Sequence, residues 1–179
     1  MIEIEKRGLL SLEKYNALLS FLDKSAESLG EDDKDVVYYI YPDKLLKVVN
    51  NLSRKNAKVS LKMNKLGDSA STLETEVVFS SEDFKNMKYI LDVVGQAPQT
   101  IEGNQKRRNY IYRDCEIAVK WSKDWGHHFE IEKVTNDEKN IDVLEKEIES
   151  IAEDLGVVLM TNEEIKQLQI KIEKEALKK

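Results

Sequence analysis

Cysteine is nearly missing from this sequence. Cys115 is the one thiol in 179 residues, which excludes an intramolecular disulfide and a cysteine-based zinc site. Long apolar runs are missing as well, and no uninterrupted stretch approaches transmembrane length. Met1 to Gly8 lacks the apolar centre of a signal peptide, so a cytoplasmic protein with no membrane partner is expected. A basic surplus is also absent: 28 Lys and Arg stand against 34 Asp and Glu, a net charge of -6. That argues against a nucleic-acid polymer as partner, although a basic pocket inside an acidic exterior stays possible. There is no glycine-rich phosphate loop, no Ser-His-Asp order, no internal repeat and no low-complexity tract. With 41% hydrophobic residues, the chain has enough apolar material for a core without staples.

What is abundant is charge, at 35% of residues, and it is patterned. Glu3 and Glu5 flank Ile4, Glu74 and Glu76 flank Thr75, Glu130 and Glu132 flank Ile131, and Lys106 and Arg108 form a cationic pair on the same spacing. Residues two apart on a strand share a face, so each pair presents two charges to one space. Ile2 to Arg7, Val36 to Tyr41, Ala57 to Asn64, Thr72 to Phe79, Gln105 to Tyr112, Cys115 to Trp121 and His128 to Val134 read as strands. Asp43 to Asn56 suits a short helix or a strand equally. The acidic run Glu31, Asp32, Asp33 and Asp35 reads as a solvated loop, Leu66 to Ser71 as a turn, and Pro98 to Gly103 as a connection. Helices are expected from Ser11 to Gly30, from Ser81 to Gly95, and from about Asn140 onward, where Thr161 and Glu164 make a capping box.

Sorted by parity, one strand face is apolar (Ile4, Val59, Leu61, Ile117, Val119, Phe129, Ile131). The other carries Glu3, Glu5, Arg7, Lys58, Lys62, Glu74, Glu76, Lys106, Arg108, Glu116, Lys120, Glu130 and Glu132. Two architectures satisfy that alternation. One is an open sheet with a wet, charge-laddered face. The other is a barrel turned inside out, with charges lining its lumen and helices outside.

Glu3-Ile4-Glu5-Lys6-Arg7 resembles the N-terminal ExExK signature of the CYTH, or triphosphate tunnel metalloenzyme, superfamily. Phe129-Glu130-Ile131-Glu132 is similar to its last barrel strand, and Lys106-Arg107-Arg108 with Tyr110 to its KxR strand. Lys62 and the Glu74/Glu76 pair fall between them in the family's order. The resemblance implies an α+β fold, a closed or nearly closed antiparallel β-barrel decorated by helices. It would form a single domain over residues 1–179, with barrel strands within 1–135 and C-terminal helices in 140–179. It also implies metal-dependent hydrolysis of an inorganic or organic triphosphate, with class IV-type adenylate cyclase activity or non-catalytic nucleotide or polyphosphate binding as the alternatives. Glu3, Glu5, Glu76, Glu130 and Glu132 would then hold Mg²⁺ or Mn²⁺. Arg7, Lys62, Lys106 and Arg108 would hold phosphate oxygens, with Arg7 and Lys62 catalytic. Glu74, Lys47 and Lys120 are secondary candidates. Arg7 stands where the family has lysine, Lys120 stands where it has an acid, and Lys47 with Val49 is the nearest match to its RxR strand.

Other residues carry plainer readings. His127 and His128 are adjacent on a turn entering a strand and point apart. Trp121 and Trp125 could stack on a base but are expected to pack against a helix. Tyr38, Tyr39 and Tyr41 fit a strand of mixed burial, and Cys115 has no base partner. The last helix is expected to cover the barrel, with a homodimer as the alternative use of its stripe.

Overall fold

A computed structural model describes residues 2–63 and 71–176; the turn expected within 66–70 lies outside them. The chain begins with strand β1 (Ile2–Leu9) and helix α1 (Leu12–Ser25). Ser11 caps α1, its hydroxyl accepting from the Lys14 N–H at 3.2 Å. The helix stops five residues short of Gly30, because Ala26 is already extended and leads into β2 (Glu27–Glu31). Gly30, at φ 84°, accommodates the register shift of β2 against its neighbour. β3 (Lys34–Ile40), β4 (Leu45–Asn51), β5 (Asn56–Lys62) and β6 (Ser71–Ser80) follow as antiparallel neighbours, and then α2 (Phe84–Val94). β7 (Gln99–Tyr112), β8 (Cys115–Ser122) and β9 (Gly126–Thr135) precede α3 (Ile141–Asp154) and α4 (Asn162–Ala176). The expected capping box opens α4: the Thr161 N–H donates to Glu164 at 2.7 Å and the Glu164 N–H to the Thr161 hydroxyl at 3.2 Å.

Pairing closes the sheet on itself. The order β3-β4-β5-β6-β1-β9-β8 ends at β7, whose N-terminal half pairs with β3 and whose C-terminal half pairs with β8. β2 extends the β3 edge along β7. The result is an antiparallel barrel with helices on its outside, the inside-out architecture of the two that parity allowed.

Apolar residues build two cores on the outer wall. α1 and α3 pack on β1, β7, β8 and β9, burying Leu18, Leu22, Ile148 and Ile151 against Ile4, Tyr110, Ile117, Val119, Phe129 and Ile131. α2 covers β3, β4 and β5 through Phe84, Met87 and Leu91 against Val37, Tyr39 and Val48. Burying a side chain of this size contributes roughly 1.5–3 kcal/mol each, so the wall is held from outside and its inner face is free to be polar.

One open alternative is resolved here and two expectations are corrected. The 43–56 segment is strand β4 and a turn, because Val48 and Val49 face opposite sides and both are buried. Gly103 lies inside β7, paired with Val36. The acidic run is no solvated loop: Asp32 is 3% exposed, its N–H donating to the Arg107 carbonyl at 2.8 Å.

Candidate functional site

The lumen is a cavity of about 760 Å³. Alternation puts Glu3, Glu5 and Arg7 of β1, Lys47 of β4, Lys62 of β5, Glu74 and Glu76 of β6, Lys120 of β8, and Glu130 and Glu132 of β9 on its wall. Lys106 and Arg108 are not there. β7 runs in the opposite parity, with Gln105, Arg107 and Asn109 inward, while Lys106 is exposed and Arg108 reaches outward to Asp23 of α1 at 3.4 Å. Tyr110 decides this. Its ring is fully buried in the outer core and its hydroxyl donates to Asp23 at 2.7 Å, which fixes even-numbered positions outside. Three consecutive cations at 106–108 hid the parity, because any of them could serve as the inward charge.

Sequence reading also missed Asp32, Lys34, Arg54 and Arg107, which line the cavity together with Lys58. The signal for Lys34 was the alternation Lys34-Val36-Tyr38-Ile40, which shares one face of β3. No local pattern marks Arg54, which sits in the β4–β5 turn. Among the described residues, ten carboxylates and eight Lys or Arg side chains line the lumen, so this lining is close to neutral and highly polar.

Most of these charges form an alternating chain of ion pairs. Lys47 lies 3.5 Å from Glu74, and Lys62 lies 3.2 Å from Glu74, 2.7 Å from Glu3 and 3.5 Å from Glu5. Ser60 donates to Glu74. Arg7 joins Glu5 to Glu130, donating to Glu5 and lying 3.3 Å from Glu130. Glu130 also meets Lys120 at 2.7 Å and Arg107 at 3.8 Å. Arg107 continues to Glu116 at 3.2 Å and Asp32 at 3.6 Å. Asp32 finally holds Lys34 at 2.5 Å and Arg54 at 3.4 Å, with Asn51 and Asn109 donating to it. Glu76 pairs with Lys58.

Burial and neighbouring charge set the protonation of these groups. Burial, the hydrogen bond to Glu74 and the Glu5 charge lift Glu3 to about 10. Against the same burial, the Glu3 hydrogen bond and Lys47 and Lys62 hold Glu74 well below the ordinary carboxylate range, so the two carboxyls share one proton. Glu130 is likewise held low despite its burial, by Lys120, Arg7 and Arg107. Burial brings Lys120 down to about 8 and His128 to about 4. Burial outweighed by Glu5, Glu3 and Glu74 raises Lys62, which stays charged at any working pH. Glu132 enters none of the ion pairs above. It faces Glu5 across β1 and Glu116 across β8, and burial with the Glu5 charge lifts it to about 7.

Trp125 lines the lumen with the Arg7 guanidinium 5.5 Å from its ring and His128 5.4 Å away. His127 turns to the other side, stacking on Tyr15 of α1 at 4.6 Å. Tyr38 faces inward and accepts from Gln105 at 2.7 Å. Cys115 is buried in the outer core, and burial raises its thiol. Among the described residues no three carboxyl, imidazole or thiol groups are gathered closely enough to form a ready metal cage, and no helix is long and apolar enough to cross a membrane.

No protein-family model matches the chain. It is similar to one component of the SbcCD nuclease, the SbcC polypeptide, of Staphylococcus aureus (strain MRSA252), 22% identical over 172 residues. That match covers 89% of this chain, which spans only 17% of the length of the curated relative. Among solved structures, the PH1819 protein of Pyrococcus horikoshii OT3 superposes with a TM-score of 0.71 at 20% identity, covering 88% of this chain and 92% of that one. A candidate adenylate cyclase from Vibrio parahaemolyticus superposes at 0.68 and 14% identity, covering 92% of each chain. The Hippeastrum protein HpAC1, described as a candidate adenylyl cyclase with a dominant triphosphatase activity, gives 0.60 at 15% identity, covering 88% of this chain and 89% of that one. The likeness is one of fold: the chain shares the antiparallel tunnel of these structures.

Proposed function

We propose that this CYTH-type tunnel binds a triphosphate compound, inorganic or organic, in its lumen and hydrolyses it with a divalent cation, Mg²⁺ or Mn²⁺. The observation that carries the reading is the convergence of Arg7, Lys47, Lys62 and Arg107 from β1, β4, β5 and β7 on one enclosed cavity. An anionic phosphoryl chain is the ligand chemistry that such a group of cations recognises. In this state each of the four is held by a carboxylate, so phosphoryl oxygens would replace carboxylate oxygens rather than meet bare charge.

Donor chemistry fits a hard divalent cation, which prefers carboxylate oxygen. Among the described residues, the carboxylates best placed to draw together on one are the cross-strand row Glu5, Glu132 and Glu116. The row is no ready cage in this state, Glu5 and Glu116 being held by Arg7 and Arg107 and Glu132 pushed up by burial and the Glu5 charge. Glu3 and Glu130 are less suited, the first sharing a proton with Glu74 and the second committed to three cations. A bound cation would supply charge neutralisation at the transferring phosphoryl group and place water beside it. The chain's own part is to grip the phosphates: Lys62, charged throughout, and Arg7, with its fork geometry, hold non-bridging oxygens and orient the chain.

A second reading, capture of polyphosphate without chemistry, is favoured by the buried Lys120–Glu130 pair at 2.7 Å, which occupies one of the carboxylates that the resemblance assigns to metal. Incubating the purified protein with tripolyphosphate, ATP and thiamine triphosphate plus Mg²⁺ or Mn²⁺ separates the readings. Orthophosphate release supports hydrolysis, and binding without turnover supports capture. Cyclic AMP with pyrophosphate would replace hydrolysis by cyclisation, and no binding at all would sink both.

A further inference from the structure

The lumen carries cations along a path longer than three phosphoryl groups can occupy. Lys62 and Lys58 share one face of β5 four residues apart, about 13 Å along the strand. Lys34 lies farther on: it pairs with Asn51, which pairs with Asn56, two residues beyond Lys58. The path from Lys62 to that level is six residues, roughly 20 Å. Arg54 reaches the same level from the turn after β4, its guanidinium 3.4 Å from the Asp32 carboxylate that Lys34 meets at 2.5 Å.

This end of the tunnel has more cation than it can neutralise. Lys34 and Arg54 share the single carboxylate of Asp32, which Arg107, held also by Glu116 and Glu130, approaches as well. Asp32 would stay satisfied if two of them left, because Asn51 and Asn109 both donate to it and Arg107 remains 3.6 Å away. The Arg54 side chain is 48% exposed, so it can swing to an incoming group with little to displace.

We propose that Lys34 and Arg54 form a second anion site, which takes the far end of a linear polyphosphate longer than a triphosphate while its near end lies on Lys62, Lys47 and Arg7. Lys58, between the two clusters, bridges them. The inference rests on the triphosphate reading above and extends it to a preference for chain length.

The test is calorimetric titration of the full chain, in chelator and without added metal, with inorganic tripolyphosphate and with linear polyphosphates of increasing length. Affinity per chain should rise roughly tenfold or more once the anion spans both clusters, as one added charge-assisted contact allows. Arg54→Ala and Lys34→Gln should each erase that gain and leave tripolyphosphate binding as in the parent protein; Lys62→Ala should weaken every length. Equal affinity at all lengths, or a gain that survives in both variants, overturns the second site while the triphosphate reading stands. If tripolyphosphate itself does not bind, the triphosphate reading falls and takes this inference with it.

Discussion

Replacing Glu130 by glutamine should destabilise the fold by stranding Lys120. Its carboxylate is shared by Lys120, Arg7 and Arg107. Arg7 would keep Glu5, and Arg107 would keep Glu116 and Asp32. Lys120 would be left buried with its one described carboxylate partner gone. Stripping one member from a buried pair costs about 3–5 kcal/mol. A second route sets the ceiling: Lys120, already brought down to about 8 in the fold, can give up its proton at pH 7 for about 1.4 kcal/mol. Glu130→Gln should therefore lower the melting temperature by about 3–6 °C, at about 2–4 °C per kcal/mol for a chain this long. Raising the pH then helps. With a neutral Lys120 in the folded state and a charged one in the unfolded state, the unfolded state binds more protons. Stability must therefore rise with pH, by about 3 kcal/mol between pH 7 and 9. Urea denaturation at both pH values measures the penalty, and Glu130→Gln with Lys120→Met should recover part of it as a coupling of about 1 kcal/mol. A melting temperature within 2 °C of the parent (roughly 1 kcal/mol), or a penalty unchanged by pH, would refute the assignment of Glu130 as the neutraliser of Lys120.

Glu132→Gln should behave in the opposite way, because burial and the facing Glu5 and Glu116 carboxylates outweigh Arg107 at Glu132. Its folded value of about 7 lies above the ordinary 4.5, so the folded state binds the extra proton and the parent protein loses stability as pH rises through that window, by about 3 kcal/mol from this group. Glu132→Gln should remove that loss, leaving the variant at least as stable as the parent at pH 7.5; denaturation curves at pH 5 and 7.5 decide it, and equal pH slopes in both proteins would count against the repulsion. The same variant should lose any rise in melting temperature that Mg²⁺ or Mn²⁺ gives the parent. Gly8→Ala should cost about 1–3 kcal/mol or more. A Cβ there would stand 2.1 Å from the Val158 carbonyl oxygen and 2.6 Å from the Phe129 ring, where the 157–160 segment is tied to β1 by the Met160 N–H donating to the Arg7 carbonyl. A thermal melt matching the parent would show that this close approach is not required.

Much of this arrangement was legible from period-two alternation. β1, β5, β8 and β9 each carry an apolar stripe and a charged stripe, and the structure puts the first under helices and the second in the lumen. Alternation could not choose between an open sheet and a barrel, since closure depends on β7 pairing with both β3 and β8, a long-range fact with no local signature. It failed at 106–108 because three adjacent cations carry no parity; the deciding residue was Tyr110, whose place in the outer core is set by α1. It failed again at Asp32, where an acidic run looks like solvent-facing loop. Burial there is made possible by Asn51, Asn109 and three cations contributed by β3, the β4–β5 turn and β7, none adjacent in sequence. Gly30 was read as a helix stop because a glycine with positive φ serves a C-cap and a strand bulge equally well.

The most direct test of the lumen as a phosphate site is calorimetric titration of tripolyphosphate into the parent protein and into Lys62→Ala. The account predicts saturable binding at one site in the parent, weakened by roughly tenfold or more in the variant, with melting temperature as the check that the variant stays folded. Equal affinity in a folded Lys62→Ala protein, or no heat of binding in the parent, would contradict it.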